Sequence, residues 1–252
     1  MPYNKLSTAK IARAAGCHPN TVRLYEAWGF LPPVARSPKG YRLYTEAHQD
    51  QMILARTFFN SDFPGRRIRH SGAALVRQSA SGDLGGALES AYRHVALVQS
   101  ELAQAEAAAS LLERWASGAP TDATRQPMRI AQAAALLALS ADVLRNWEAS
   151  GLILTPRDPH NRYRLYSQAE IARLRVIRML RTAGYSTLAI LRMLTRLDRG
   201  ETGDLRRSLD TPPEDEDILS AADRWLSALR KQQEVSQQMI VLLEERIHKK
   251  QR

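Results

Sequence analysis

The chain has 252 residues with 36 Lys/Arg against 26 Asp/Glu, a formal net charge of +10 and a pI near 10.1. Apolar residues at 44% and charged residues at 25% exclude a disordered polyelectrolyte, and a single cysteine excludes an intrachain disulfide or a site of several thiolates. No apolar run approaches the roughly 20 residues of a membrane-spanning helix, and the first residues lack the apolar core of a signal peptide. A cytoplasmic compartment is the expectation, with no membrane partner and with nucleic acid as the first candidate for an acidic one.

The elements fall in a repeated order. A short helix over 7–15 starts from Ser7, a good N-cap, and is broken by Gly16-Cys17-His18-Pro19-Asn20. A second short helix over 20–28 stops at Gly29, so the pair reads as a helix-turn-helix. Ser37-Pro38-Lys39-Gly40 forms a turn, and Tyr41-Arg42-Leu43-Tyr44 alternates as a strand does, giving a small hairpin or wing. Longer helices are expected near 46–59 and 64–76, then a long one over 84–117. After a linker at 118–127 the order recurs: helices near 129–137 and 141–149, a wing over 153–166, helices near 168–182 and 187–196, and a second long helix over 215–250. Domains are accordingly placed at 5–76 and 128–197.

The recurrence is a sequence repeat. An offset of 122 positions carries Tyr41-Arg42-Leu43-Tyr44 onto Tyr163-Arg164-Leu165-Tyr166, Arg23 onto Arg145, Tyr25 onto Trp147, Glu26 onto Glu148 and Gly29 onto Gly151 without a gap. Charge follows the repeat. Residues 1–80 carry 12 Lys/Arg against 4 Asp/Glu and residues 128–200 carry 12 against 5, whereas 81–127 and 201–252 are mildly acidic. Two basic heads on neutral-to-acidic scaffolds is the pattern expected of a protein with two anion-binding ends.

Thr21-Val22-Arg23-Leu24-Tyr25-Glu26-Ala27-Trp28-Gly29-Phe30-Leu31-Pro32, followed by Gly40-Tyr41-Arg42-Leu43-Tyr44, resembles the signature of the MerR family of transcription regulators. Val143-Leu144-Arg145-Asn146-Trp147-Glu148-Ala149-Ser150-Gly151-Leu152-Ile153 with Tyr163-Arg164-Leu165-Tyr166 resembles it more loosely. Leu24 and Asn146 stand where the family has Tyr, Trp147 replaces another Tyr, and Arg162 occupies the wing-turn position that is usually Gly. The resemblance implies a mainly α fold: two winged helix-turn-helix domains, each followed by a long helix, the two helices forming an antiparallel coiled coil. It implies sequence-specific binding of double-stranded DNA, transcription regulation by distortion of a promoter spacer, and RNA polymerase at a promoter as a partner.

The chemistry of these positions suits DNA. The N-terminal residues of a recognition helix enter the major groove, which nominates Asn20, Thr21 and Arg23 in the first head and Val143 and Arg145 in the second. Either arginine can bind guanine or phosphate in bidentate fashion. Tyr25 can offer a hydroxyl to phosphate, and Trp147 an indole N–H. Lys39, Arg42, Asn161, Arg162 and Arg164 lie on the wings, where the resemblance implies contact with the backbone beside the groove, which positions without reading sequence. Glu26 and Glu148 are expected to orient a neighbouring arginine, and at least half of Tyr41, Tyr44, Tyr163 and Tyr166 to pack the wing core.

The long segments carry heptads: Leu88, Val95, Leu102, Ala109 and Ala116 with Ala91, Val98, Ala105 and Leu112 in the first; Leu219, Leu226, Gln233, Ile240 and Ile247 with Ala222, Leu229, Ser236 and Leu243 in the second. Paired within one chain, they make a single-chain pseudo-dimer rather than a homodimer, with Gln233 and Ser236 as a polar layer mid-seam. Cys17 and the six histidines show no metal-ligand spacing, Cys17 being a small packing residue. Trp115 and Trp225 are assigned to packing at one end of the coiled coil, and the acidic run 214–217 to a helix N-terminus. No cofactor is expected. No P-loop, dinucleotide loop, nucleophile elbow or paired zinc motif appears, so an enzyme is not expected. A DNA-architectural or recombination/segregation accessory protein is the alternative that uses the same heads.

Overall fold

The computed structural model describes residues 6–118, 127–211 and 224–251. The linker positions 119–126, the acidic run 214–217, and Leu219 and Ala222 of the second heptad lie outside them. Among the described residues there are two units: residues up to 100 with 229 onward, and residues 101–228.

In the first unit, α1 (Thr8–Ala14) is capped by Ser7, whose hydroxyl accepts from the Lys10 amide at 3.3 Å. It is followed by α2 (Pro19–Ala27), which starts on the helix-compatible φ of Pro19 with His18 as N-cap. The His18 ring takes the Asn20 amide at 3.2 Å, so this histidine is a cap. The wing is β1 (Ala35–Arg36) antiparallel to β2 (Arg42–Leu43), and a further bridge joins Leu6 to Tyr44. Next come α3 (Glu46–Phe59), α4 (Gly65–Ala80), which ends four residues later than expected, and α5 (Leu84–Ala116).

The second unit contains α6 (Ile130–Leu136), α7 (Ala141–Ala149), α8 (Gln168–Thr182), α9 (Thr187–Asp198) and a helix the sequence pattern did not announce, α10 (Leu205–Asp210). Its wing is reduced to single bridges, Arg157 to Arg164 and Met128 to Tyr166. The last helix, α11 (Trp225–Gln251), closes the described chain. Residues 84–100 of α5 belong to the first unit and 101–116 to the second, while α11 begins in the second and continues in the first from Leu229.

The repeat extends to backbone torsions. Four pairs of positions 122 apart are left-handed: Gly16 (φ +58°) and Ala138 (+48°), Gly29 (+73°) and Gly151 (+75°), Gly40 (+81°) and Arg162 (+62°), Gly82 (+91°) and Asp204 (+45°). Three of the second members are not glycine. A side chain in this region costs roughly 1–2 kcal/mol through crowding of Cβ against the carbonyl. The two units keep one chain path even where the sequence no longer favours it.

The cores repeat as well. In the first unit Ile11, Val22, Tyr44, Met52, Phe58 and Leu75 are essentially inaccessible. Buried Gln51 donates to the carbonyls of Phe30 (3.0 Å) and Val76 (2.9 Å) and accepts from Ser79 (2.8 Å). Its counterpart Arg173 donates to the carbonyl of Leu152 at 2.9 Å and forms a bidentate pair with Asp198 at 2.6 and 2.8 Å. One structural task, tying the end of the recognition-helix turn to the helix pair behind it, is done by an amide in one head and a guanidinium in the other.

The polar layer is partly where the heptad placed it. Ser236 is buried, its hydroxyl donating to the carbonyl of Gln232 in its own helix, but Gln233 is half-exposed. Gln232 is buried in its place, donating to Ser61 Oγ (2.6 Å) and the Asp62 carbonyl (3.0 Å) in the α3–α4 turn. The reason is that α11 packs against the head as well as α5. Arg246 reaches Gln51 Oε1 and donates to Ser79 Oγ at 2.6 Å, and Lys249 pairs with Asp50 at 3.1 Å. A helix with two neighbours buries a stripe wider than two positions per heptad. In the second unit Trp225 is 6% exposed, its indole N–H donating to the Ala183 carbonyl at 2.6 Å, while Arg206 grips Glu113 through two bonds of 3.0 and 3.1 Å.

Candidate nucleic-acid interface

The helix α2 buries Val22 and Tyr25 and presents Asn20, Arg23 and Leu24 to solvent. Arg23 donates to Asn20 Oδ1 at 3.2 Å, so both project from the first turn and a half of the helix, and Thr21 is half-buried beside them. In α7 the Ser140 hydroxyl accepts from the Val143 amide at 3.3 Å. Arg145 is exposed but pairs with Asp142 at 2.5 Å, an acidic neighbour that the first head lacks, since Asn20 holds that place. Val143 and Trp147 are half-buried.

Tyr25 departs from the expectation of a phosphate-facing hydroxyl. It is 5% exposed, and its ring packs edge-on to Phe30 (5.7 Å) and Phe59 (5.5 Å) and stacks on Trp28 (6.3 Å). Burial raises the pKa of its phenol. Tyr25 anchors the recognition helix to the core.

The wing arginines are tethered. Arg42 Nε donates to Glu26 Oε2 at 2.7 Å, and Arg164 Nε binds Glu148 in the same way. Both pairs are part-buried, with arginine side chains 28% and 27% exposed. Each glutamate sits on the recognition helix and each arginine on the wing, so the pair fixes the angle between the two elements that would meet DNA. Glu148 also takes Arg157 at 3.4 Å, a wing residue the sequence reading missed.

Of the four wing tyrosines, Tyr44 and Tyr166 are buried and Tyr41 and Tyr163 are exposed. Lys39, Asn161 and Arg162 lie exposed at the wing turns. In the second wing Asp158 organises the turn, accepting from the His160 amide at 2.8 Å, and Asn161 Oδ1 accepts from the Tyr163 amide at 3.0 Å. A further basic run on α4, Arg66, Arg67 and Arg69, is exposed. It was legible as three arginines in four residues but was not singled out. Cys17 is half-buried and unpaired, its thiol pKa raised by burial. Among the described residues no group of three or more His, Cys, Asp or Glu could hold a metal, and no helix is long and apolar enough to cross a membrane.

The molecule holds two copies of a helix-turn-helix with a tethered wing, and the sequence profile of MerR HTH family regulatory proteins matches both, at residues 6–73 and 128–197. The chain belongs to the MerR family. Those matches take up more than half of it, and DNA-binding regulation of transcription is the family's work. The chain is 37% identical over 49 residues to the HTH-type transcriptional regulator CueR of Vibrio cholerae serotype O1, in both a classical Ogawa and an El Tor Inaba strain. That match covers 19% of the chain and 35% of each relative. No solved structure matches the chain significantly. Unlike a regulator with one such head per chain, this MerR protein carries two, which differ at Asn20 against Asp142, Tyr25 against Trp147 and Gly40 against Arg162.

Proposed function

We propose that the protein binds double-stranded DNA sequence-specifically through both heads of one chain, acting as a pseudo-dimer that distorts promoter DNA in company with RNA polymerase. Asn20, Thr21, Arg23, Val143 and Arg145 enter successive major grooves. Lys39, Arg42, Asn161, Arg162 and Arg164 hold the flanking backbone, and Trp147 steadies the second recognition helix. The supporting observation is the paired Glu26–Arg42 and Glu148–Arg164 linkage, because it makes recognition helix and wing one rigid reader in each head. The order of unit membership along α5 and α11 is the one an antiparallel pair within a single chain requires. With Arg145 held by Asp142, the second head reads more weakly, so the operator is asymmetric.

The test is footprinting on a fragment selected from genomic DNA. Arg23→Ala removes a contact worth about 1–3 kcal/mol and erases one half of the footprint. Arg145→Ala erases the other half. Equal loss on both sides in either variant refutes distinct heads. Light scattering of the complex tests the pseudo-dimer: a protein mass of 28.3 kDa supports it, and twice that value overturns it.

A further inference from the structure

The first unit contains an open cleft of about 860 Å³ that the DNA reading leaves unused. Its floor is aromatic: Trp28, Phe30 and Phe59, with the Phe30 and Phe59 rings 4.4 Å apart and Trp28 edge-on to Phe30 at 6.2 Å. Trp28 is 52% exposed, a large indole left in water. The rim is cationic: Arg66, Arg69 and Arg77. The Arg77 guanidinium lies over the Phe30 ring at 4.6 Å and donates to the Trp28 carbonyl at 3.4 Å, so this wall is fixed in place. Arg66 and Arg69 crowd into the first two turns of α4, which carries no acidic residue in its first turn and no side-chain cap. Cations there oppose the helix dipole, an arrangement that a bound anion relieves.

The second unit does not repeat this lining; the opening of about 540 Å³ beside Gly151 is bordered by Ile153, Glu170, Arg173 and Asp198 instead. The partner of Gly29 is Gly151, where a Cβ would meet Leu191 Cδ1 at 3.6 Å, whereas nothing lies within 4 Å of the corresponding point at Gly29. At the 122-residue offset, Trp28, Phe30 and Phe59 become Ser150, Leu152 and Arg181, while Arg66 and Arg69 become Leu188 and Leu191. The later face of α9 is further held by α10, through Arg192 to the Ser208 carbonyl (3.3 Å) and Arg196 to Ser208 Oγ (2.7 Å). Two copies of one fold thus differ in a single direction. One has leucines at three of the five positions, Leu152, Leu188 and Leu191. The other has an aromatic floor, a basic rim and an open volume within the usual range of a small-molecule site.

We infer that this cleft binds a flat aromatic anion, of the aromatic carboxylate class, its ring on Trp28 and Phe30 and its carboxylate between Arg66 and Arg69. A bare phosphate would satisfy the arginines and leave the indole wet, and a neutral ring would leave the cations uncompensated. Both features are used only by a ligand that has both parts.

The experiment is calorimetric titration of the full chain, without DNA, with 2-naphthoate, 2-naphthol, decanoate and inorganic phosphate. The expected result is saturable one-to-one binding of naphthoate, with the other three probes at least tenfold weaker. Trp28→Ala and Arg69→Glu, both at exposed positions, each weaken naphthoate at least tenfold in protein that circular dichroism shows to be folded at the titration temperature, and Trp28→Phe retains most of the affinity. No saturable binding, or binding indifferent to Trp28→Ala and Arg69→Glu, overturns the site. Phosphate as tight as naphthoate reduces it to an anion contact, and decanoate tighter than naphthoate refutes the aromatic assignment.

Discussion

His94 lies on α5 in the first unit with no accessible surface. Its Nδ1 is 3.1 Å from Ser71 Oγ, its ring meets Phe58 edge-on at 5.8 Å, and its Nε2 is buried without a partner. Burial pushes its pKa from 6.5 down to about 4, because a charged imidazole would lose its water and find no carboxylate. Between these two values the unfolded chain binds a proton that the folded chain refuses, so stability is full above pH 6.5 and falls as the pH drops towards 4. With those pKa values, the loss between pH 7.5 and pH 4.5 is about 2–3 kcal/mol. Burial also lowers the pKa of His48, which adds a loss of the same sign, so the wild type alone cannot isolate His94. The difference between wild type and His94→Leu does, since His48 is common to both. The assay is urea-dependent hydrogen exchange of amides in residues 84–98, read by mass spectrometry at several pH values. The advantage of wild type over His94→Leu should shrink by about 2–3 kcal/mol on acidification. A difference between the two proteins that does not change with pH refutes the assignment of a neutral, desolvated imidazole.

Other substitutions test the packing. Gln232→Ala removes two buried hydrogen bonds and should cost about 1–3 kcal/mol in urea denaturation, whereas Gln233→Ala stays within about 0.5 kcal/mol. The reverse order would restore the heptad reading. Ala138→Gly relieves a left-handed alanine and should stabilise the second unit by about 1 kcal/mol, while Gly16→Ala at the matching turn should cost about 1–2 kcal/mol. Like signs in the two denaturation midpoints would contradict the shared turn geometry.

The duplication, the order of helices and the turn positions were legible because they rest on local chemistry. Ser7, Ser140 and Ser167 cap helices through their own hydroxyls, and Gly29 and Gly151 stop recognition helices at a torsion side chains avoid. Such features need only a few neighbouring residues, and a 122-residue offset shows them twice. The roles of Glu26 and Glu148 were legible for the same reason, since each has a wing arginine at a fixed spacing.

Contacts across the fold were not legible. Periodicity marks one face of α2 as apolar, yet it did not say that Tyr25 belongs to that face and Trp28 does not. The heptad of α11 pointed at Gln233 because it assumed one neighbour. The helix has two, and the second, the α3–α4 turn, widens burial to take in Gln232 while Ser236 stays buried. The isolation of His94 and the aromatic cleft of the first head depend on which side chains converge from distant segments. Sequence alone determined which residues could turn, cap and pair along the chain. Only tertiary structure decided which of them lose their water, because desolvation is set by neighbours brought in from every direction at once.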